Sequence, residues 1–371
     1  MKILVLSIND WLGLKQRVHH IAEYLSEHND IVFFCQTTWM KNNYNSYSRD
    51  EIKKRIIPVS NSLTIRRMTV LPLNRLNVVN KINTVIKKRV IMKIEREFKP
   101  DCIITTLPEQ YSVIPKDYEG LILYDCMDDH ASFGGKIKLN VYEKRLIQRA
   151  NAVTVSSERL ARKIEGYNLN KKIEIVKNAT RFEVFHDYIT KNNGKKRPEE
   201  LELGKKIIGY FGVVRDWFNI EAVIKSASQH KDCEYIIIGP IDNPVTRIKL
   251  NQYSNIKCIG QRKFEDLPQY LYYFDVCIMP FKLSELIENV NPVKLYEYLS
   301  MGKPTVVTYY EEIQQFEPYV YFAKDDDDFC DKVSRALCEN NESLLKKRIE
   351  FAESNTWKVR TDQMMAVINT L

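Results

Sequence analysis

Lys294 and Glu297 lie three residues apart in the segment Asn289-Val-Asn-Pro-Val-Lys-Leu-Tyr-Glu-Tyr-Leu-Ser-Met-Gly-Lys-Pro304. In a helix that spacing puts an ammonium and a carboxylate on one face. A lysine in a first helical turn, beside free amides and the positive end of the helix dipole, can hold a diphosphate. A carboxylate one turn deeper can accept two hydrogen bonds from a vicinal diol such as a ribose. The competing reading is a solvated Lys–Glu pair on a surface helix. The local residues specify the helix itself. Asn291 suits the N-cap and Pro292 the first helical position. Gly302 suits a left-handed C′ position and Pro304 forbids continuation, so a helix over 291–301 is expected, followed by a buried strand at 304–308.

Three strand-like runs upstream end on glycine, where backbone can approach a phosphate closely. Ile207–Phe211 is followed by Gly212, with Arg215 three residues on as a charged contact. Tyr235–Ile238 is followed by Gly239, and Ile256–Ile259 by Gly260, with Arg262 next to that turn. Dinucleotide and triphosphate loops of the usual kind are absent, since neither Gly-x-Gly-x-x-Gly after a strand nor a Walker-type Gly-x-x-x-x-Gly-Lys-Ser/Thr occurs.

Further toward the N-terminus, Leu121-Ile-Leu-Tyr-Asp125-Cys-Met-Asp128-Asp129-His130 is a buried strand that delivers three carboxylates and an imidazole. Clustered carboxylates raise one another's pKa, so Asp125, Asp128 or Asp129, or else His130, can act as general base to a sugar hydroxyl. The same groups can instead bind acceptor hydroxyls, or hold magnesium. Asp10-Trp-Leu-Gly13-Leu-Lys-Gln-Arg17-Val-His-His20 follows the first strand. A loop there carrying Asp10, Arg17 and His20 suits an anionic or hydroxyl-rich acceptor, against the plainer reading of a β–α turn with solvated charges.

These groups need a scaffold, and 371 residues suffice for two domains. Apolar residues make up 44% and charged residues 28%, as in ordinary globular chains. No apolar run approaches the roughly 20 residues of a membrane span, and the first strand is too short for a signal-peptide core. Eight scattered cysteines without Cys-x-x-Cys read as small buried apolar residues in a reducing compartment. Between Arg49 and Lys99 fourteen Lys/Arg face four Asp/Glu, a local +10 against +8 for the whole chain. That tract, interspersed with apolar residues, suits anionic lipid or a pyrophosphate-linked acceptor, or else is a solvated helix face. Nucleic acid is not expected, for lack of any recognition motif.

Short strands alternate with amphipathic helices throughout, which predicts α/β architecture with parallel sheets. Strands are expected at 2–8, 30–35, 101–106, 121–124, 152–156 and 172–176, and again at 206–211, 234–238, 256–259, 275–279, 304–308 and 319–323. The polar stretch after Asn192 carries Glu199, Glu200 and Glu202 and places the boundary there. The expected division is an N-terminal domain over 1–190, a linker over 191–204, a C-terminal domain over 205–352 and a final helical segment over 353–371. Two such halves place an active site near the carboxyl ends of strands, in the cleft between them.

The succession Gly212, Ile-Gly239, Gly260 before Asp266-Leu-Pro268, the strand ending at Pro280, and Glu297-Tyr-Leu-Ser-Met-Gly302-Lys-Pro304-Thr-Val-Val resembles GT-B glycosyltransferases of family 4. Asn-Pro-x-Lys-Leu-x-Glu-Tyr resembles the teichuronic-acid and exopolysaccharide-type bacterial subgroup. The resemblance covers roughly 205–310 strongly. It implies two Rossmann-like domains and transfer of a sugar from a nucleotide diphosphate donor, UDP-linked, to a glycan or lipid-pyrophosphate-linked acceptor. The nucleotide-sugar would be a substrate, with no cofactor and no metal. Residue by residue, it implies Lys294 on the donor pyrophosphate, Glu297 on the ribose, and the Gly260–Arg262 turn near the base. The Asp10–His20 loop, with Gly13, resembles the family's acceptor-side loop. The Asn178 and Trp357 segments resemble the family's hinge and its helix crossing back to the N-terminal domain. The family keeps a further glutamate eight residues before the second; here that position is Asn289, with Glu288 beside it. A cytoplasmic enzyme of cell-surface polysaccharide biosynthesis, peripheral on the inner membrane face, is the expectation. A sugar-nucleotide epimerase of the same fold and a non-catalytic partner subunit are the rivals.

Overall fold

The structure is a computed structural model and describes residues 1–13, 15–37, 49–72, 76–130, 136–191 and 197–371. The chain forms two compact units, Met1–Lys177 with Trp357–Leu371, and Asn178–Thr356.

The first unit is built on a sheet of strands β1 (Lys2–Leu6), β2 (Asp30–Thr37), β3 (Ile56–Pro58), β4 (Leu63–Thr69), β5 (Cys102–Thr105), β6 (Leu121–Cys126), β7 (Ala152–Val155) and β8 (Lys172–Ile175), in the order β3-β4-β2-β1-β5-β6-β7-β8. Every pairing is parallel except that of β3 with β4. The central strands read as unbroken apolar runs because both faces are covered. Ile3, Leu4, Val5 and Leu6 of β1 are all buried. Helices α1 (Arg17–Leu25), α2 (Arg49–Lys53), α3 (Asn77–Phe98), α4 (Lys136–Arg149) and α5 (Glu158–Glu165) belong to this unit. Ser157 caps α5 by accepting from the Leu160 amide at 3.3 Å.

Strands β3 and β4 are the part of this sheet absent from the sequence expectation. Leu63-Thr-Ile-Arg-Arg-Met-Thr69 was legible as basic tract, yet Leu63, Ile65 and Arg67 alternate inward as a strand requires.

The second unit carries β9 (Ile207–Phe211), β10 (Glu234–Ile238), β11 (Ile256–Gly260), β12 (Val276–Met279), β13 (Thr305–Thr308) and β14 (Tyr321–Ala323) in the order β11-β10-β9-β12-β13-β14, with all pairings parallel. Its helices are α6 (Phe182–Thr190), α7 (Ile220–Gln229), α8 (Pro244–Leu250), α9 (Leu267–Tyr273), α10 (Glu285–Glu288), α11 (Val293–Leu299), α12 (Asp326–Leu337) and α13 (Glu342–Glu353). One apolar layer under α7, α12 and α13 includes Val223, Leu295 and Phe329, and the opposite face includes Phe185, Phe274 and Tyr298.

The division of the chain differs from the sequence expectation. It falls at Lys177–Asn178, and α6 is part of the second unit because Phe185 is fully buried in that unit's core. The expected linker over 191–204 is also not free chain where it is described; residues 192–196 lie outside the described part. Glu200 binds Arg262, and Glu202 binds Lys257 and Lys205, so its acids serve as counter-charges for the end of β11. The last helix, α14 (Trp357–Asn369), belongs to the first unit, where the Trp357 indole stacks on the His20 ring with centroids 5.2 Å apart.

Candidate functional site

In the second unit, Gly212, Gly239 and Gly260 close the adjacent strands β9, β10 and β11, and hydrogen bonds tie them together. The Gly212 amide donates to the Ile238 carbonyl at 2.8 Å, and the Gly239 amide to the Gly260 carbonyl at 2.9 Å. Gly212 and Gly239 have φ of +147° and +141°, backbone that side chains resist. A Cβ on Gly239 would overlap the Gly212 carbonyl, and a Cβ on Gly212 would overlap Cε of Lys294. The Lys294 side chain therefore lies directly on the Gly212 backbone, with Nζ 6.0 Å from the Tyr210 ring centroid. Tyr210 is a residue the sequence reading passed over; its place on the Ile208/Tyr210 face of β9 was the available signal.

Lys294 and Glu297 project from α11, which is shorter than the expected 291–301 and has Pro292 at its N-cap without a side-chain cap. Glu297 is 7% exposed and Lys294 is partly buried, yet neither makes a hydrogen bond or ion pair among the described residues. Burial lifts the Glu297 carboxyl to about 7, with Lys294 pulling the other way, and burial lowers the Lys294 ammonium, with Glu297 opposing. Two groups that would gain from pairing are held apart from partners, which is the condition of a site prepared for a ligand.

The other expected donor residues have partners of their own. Asn291 does not cap α11: its Oδ1 accepts from the Asn178 amide and the Tyr296 hydroxyl, each at 3.0 Å, and its carbonyl accepts from Asn178 Nδ2. It anchors the start of the second unit. Asn289 is 4% exposed and turns its Nδ2 back to the Glu285 carbonyl at 2.7 Å, closing α10, whereas Glu288 beside it is partly exposed. Arg262 donates to Tyr270, to the Ile259 carbonyl and to Glu200, which fixes the turn after β11. Arg215 pairs with Asp242 over the Trp217 ring, but both charges are half exposed and such a pair is weakly held.

In the first unit the three carboxylates after β6 separate. Asp125 is 1% exposed and accepts both Nε and Nη2 of Arg17, at 2.9 and 2.8 Å, plus the Thr154 hydroxyl at 2.8 Å. Arg17 is itself buried and gives Nη1 to the Lys177 carbonyl at 3.0 Å. Asp129 is buried and bound to Lys163 at 2.8 Å, which also binds Glu143. Tyr124 and Tyr167 donate to Glu143 at 2.8 and 2.9 Å. Asp125, Asp129 and Arg17 are each committed to an ion pair inside the unit, so none of these side chains is left open for an acceptor. Only Asp128 of the three carboxylates has no side-chain partner among the described residues, and it is partly buried. Burial raises its pKa to about 7, Arg17 restrains the rise and Asp129 adds to it. His130 holds the Thr106 carbonyl at 3.0 Å. Among the described residues no three His, Cys, Asp or Glu side chains converge as a metal site.

The loop after β1 is likewise tied down. Asp10 accepts from Nε and Nη2 of Arg67, at 2.7 and 2.5 Å, inside the unit. Its carbonyl accepts from the Gly13 amide at 2.9 Å, and a Cβ on Gly13 would lie 3.0 Å from that carbonyl, a tight contact. His20 is 3% exposed against Trp357. Asp10, Gly13 and His20 thus shape the start of α1 from within.

Residues 205–339 match the family model described as Glycosyl transferases group 1. A protein described as putative teichuronic acid biosynthesis glycosyltransferase TuaH, from Bacillus subtilis (strain 168), is 27% identical over 266 residues, a match spanning 66% of each chain. Among solved structures, sucrose-phosphate synthase from Thermosynechococcus elongatus superposes over 100% of this chain and 98% of its own, with a TM-score of 0.78 and 14% identity. HepE from Anabaena, solved in complex with UDP and glucose, covers 100% of both chains with a TM-score of 0.71 and 12% identity. These likenesses give the fold. The chain has the GT-B fold, and its residues 205–339 match the group 1 glycosyl transferase family.

Proposed function

We propose that this protein transfers a glycosyl group from a UDP-sugar to a glycan or lipid-linked acceptor in the making of a cell-surface polysaccharide. The observation that carries the reading is Lys294 seated on the Gly212 backbone with Glu297 three residues on, neither making a hydrogen bond or ion pair among the described residues. Lys294 holds the pyrophosphate and meets the charge that develops on it as the bond to the sugar breaks, where a positioned cation accelerates most. Glu297 accepts from the two ribose hydroxyls. The acceptor oxygen forms the new bond to the anomeric carbon, and its proton passes to Asp128, whose pKa of about 7 suits a general base at neutral pH. Arg215 is available to add a phosphate contact if a ligand displaces Asp242. Lysine does the neutralising in this scheme, so it needs no protein-bound metal.

The UDP in the HepE complex and the teichuronic acid in the TuaH description support the donor and acceptor classes. The basic composition of 49–99 supports work at the inner face of a membrane. Thermal stabilisation by UDP, UDP-sugars and GDP-sugars tests the donor. Stabilisation by UDP compounds in the native protein and its loss in Lys294→Ala is the expected result. Equal melting curves with and without every nucleotide would overturn the reading.

A further inference from the structure

Helix α3 carries apolar residues on its outward side as well as on its core side. Val78 is 70% exposed, Ile82 44% and Val85 51%, with Ile86 also exposed, while the inward positions Ile91 and Ile94 are buried. At 100° per residue, positions 78, 82, 85 and 86 fall on one outward stripe. Leu71 and Leu76, just before the helix, are exposed as well. The next turns on the same outward side present Arg89, Lys93 and Arg96. From Asn77 to Lys93 the helix holds five Lys/Arg and no acid.

We infer that the outward face of α3 is a membrane-docking surface that seats its apolar stripe in an anionic lipid bilayer. An exposed apolar band costs stability in water and is usual where another apolar phase covers it. A partner protein would need a complementary groove, whereas an interfacial bilayer needs only what α3 shows, an apolar stripe beside uncompensated cations. At 22 residues the helix is about 33 Å long, enough to lie flat along a headgroup layer. The cations of the basic tract are not equivalent in this. Arg67 is spent on Asp10, and Arg66 and Lys93 lie near Glu97, whereas Lys81 and Arg89 stand exposed on α3. The inference deepens the lipid-linked acceptor reading and rests on it for its biological sense, but its test does not.

Flotation of the full-length protein with phosphatidylglycerol and with phosphatidylcholine vesicles is the experiment, with UDP binding measured in parallel. Native protein should float with the anionic vesicles only, and added salt should release it. Ile82→Gln with Val85→Gln should weaken that binding roughly tenfold or more. Lys81→Gln and Arg89→Gln should each weaken it about fivefold. All of these surface variants should bind UDP as the native protein does. Failure of native protein to float, or native-like flotation of the Ile82/Val85 variant, overturns the inference. So does a native dimer that this variant makes monomeric with flotation unchanged, since a second copy would then cover the stripe. Flotation that depends on the stripe in a protein that binds no UDP supports the docking surface and removes the proposed function alone.

Discussion

Lys294 lies on the backbone of Gly212, with so little space between them that a single methyl group on the glycine would occupy the place of the lysine's Cε. The contact joins a strand end to a helix across 82 positions of sequence. It explains why a flexible side chain can hold a partly buried charge without an ion-pair partner: the glycine backbone gives it a fixed seat. Glu297, three residues on, is buried and equally unpartnered among the described residues.

That seat makes Gly212→Ala a test of lysine placement. Lys294→Ala should weaken UDP binding about 10- to 100-fold, the scale of one charge-assisted contact. Gly212→Ala should do nearly the same, since its φ of +147° disfavours a side chain and its Cβ displaces Lys294. If the glycine acts through the lysine, the double variant is no worse than the poorer single one. Additive losses in calorimetric titration would show that Gly212 acts on the ligand by another route.

Glu297 gives a pH-dependent stability of opposite sign to that of paired carboxylates. Its folded pKa, about 7, lies above the ordinary 4.5, so the folded state holds more protons across that window. Stability therefore falls as pH rises from about 4.5 through 7. Glu297→Gln should leave melting unchanged at pH 4 and raise stability at pH 8 by about 1–3 kcal/mol, while UDP affinity falls. Denaturant melts at both pH values check it. A destabilised variant at pH 8 would mean the carboxylate is better satisfied than its surroundings imply.

How much of this was readable without the structure depends on the range of each interaction. Lys294 and Glu297 are set by helical spacing, and the three strand-ending glycines by local apolar runs, so both were visible in the chain. The partners of Arg17 and Asp10 were not. Arg17 meets Asp125 108 positions away and Arg67 meets Asp10 57 positions away. Both pairings depend on the strand order, which places β5 and β6 beyond β1 and β4 beyond β2. Clustering of Asp125, Asp128 and Asp129 suggested mutual repulsion, but a strand end sends successive side chains to different neighbours. The outward stripe of α3 was hidden for a related reason: periodicity marks an apolar face without saying which face the core takes.

The separation of those carboxylates predicts two different failures. Asp125→Asn leaves the Arg17 guanidinium buried against a neutral amide and should cost about 3–5 kcal/mol of stability. Asp128→Asn removes a carboxyl that burial already disfavours, so stability at neutral pH should hold or rise. Its turnover should drop about 10²- to 10⁴-fold with UDP affinity kept, as for loss of a general base. In the native enzyme, turnover should climb with pH through about 7 as Asp128 ionises. Thermal melts and initial rates on the same preparations separate the two, and a fully active Asp128→Asn would remove the base role.

The Asp10–Arg67 pair decides whether the loop after β1 touches an acceptor or only shapes α1. Both oxygens of Asp10 accept from the guanidinium, and Arg67 Nη1 donates to the Ile52 and Lys54 carbonyls at 2.8 and 3.0 Å. Arg67→Met alone strands a buried carboxylate and should cost about 3–5 kcal/mol. Asp10→Leu combined with Arg67→Met replaces the pair by apolar groups, which proteins often accept with little loss. The double variant should therefore regain most of the stability, less what the Ile52 and Lys54 carbonyls lose. If Asp10 acts only through its pairing with Arg67, turnover returns with the fold, and that is the expected result. A stable but inactive double variant would instead place the Asp10 carboxylate on the acceptor itself, because packing can replace a structural ion pair but not a hydrogen bond to substrate.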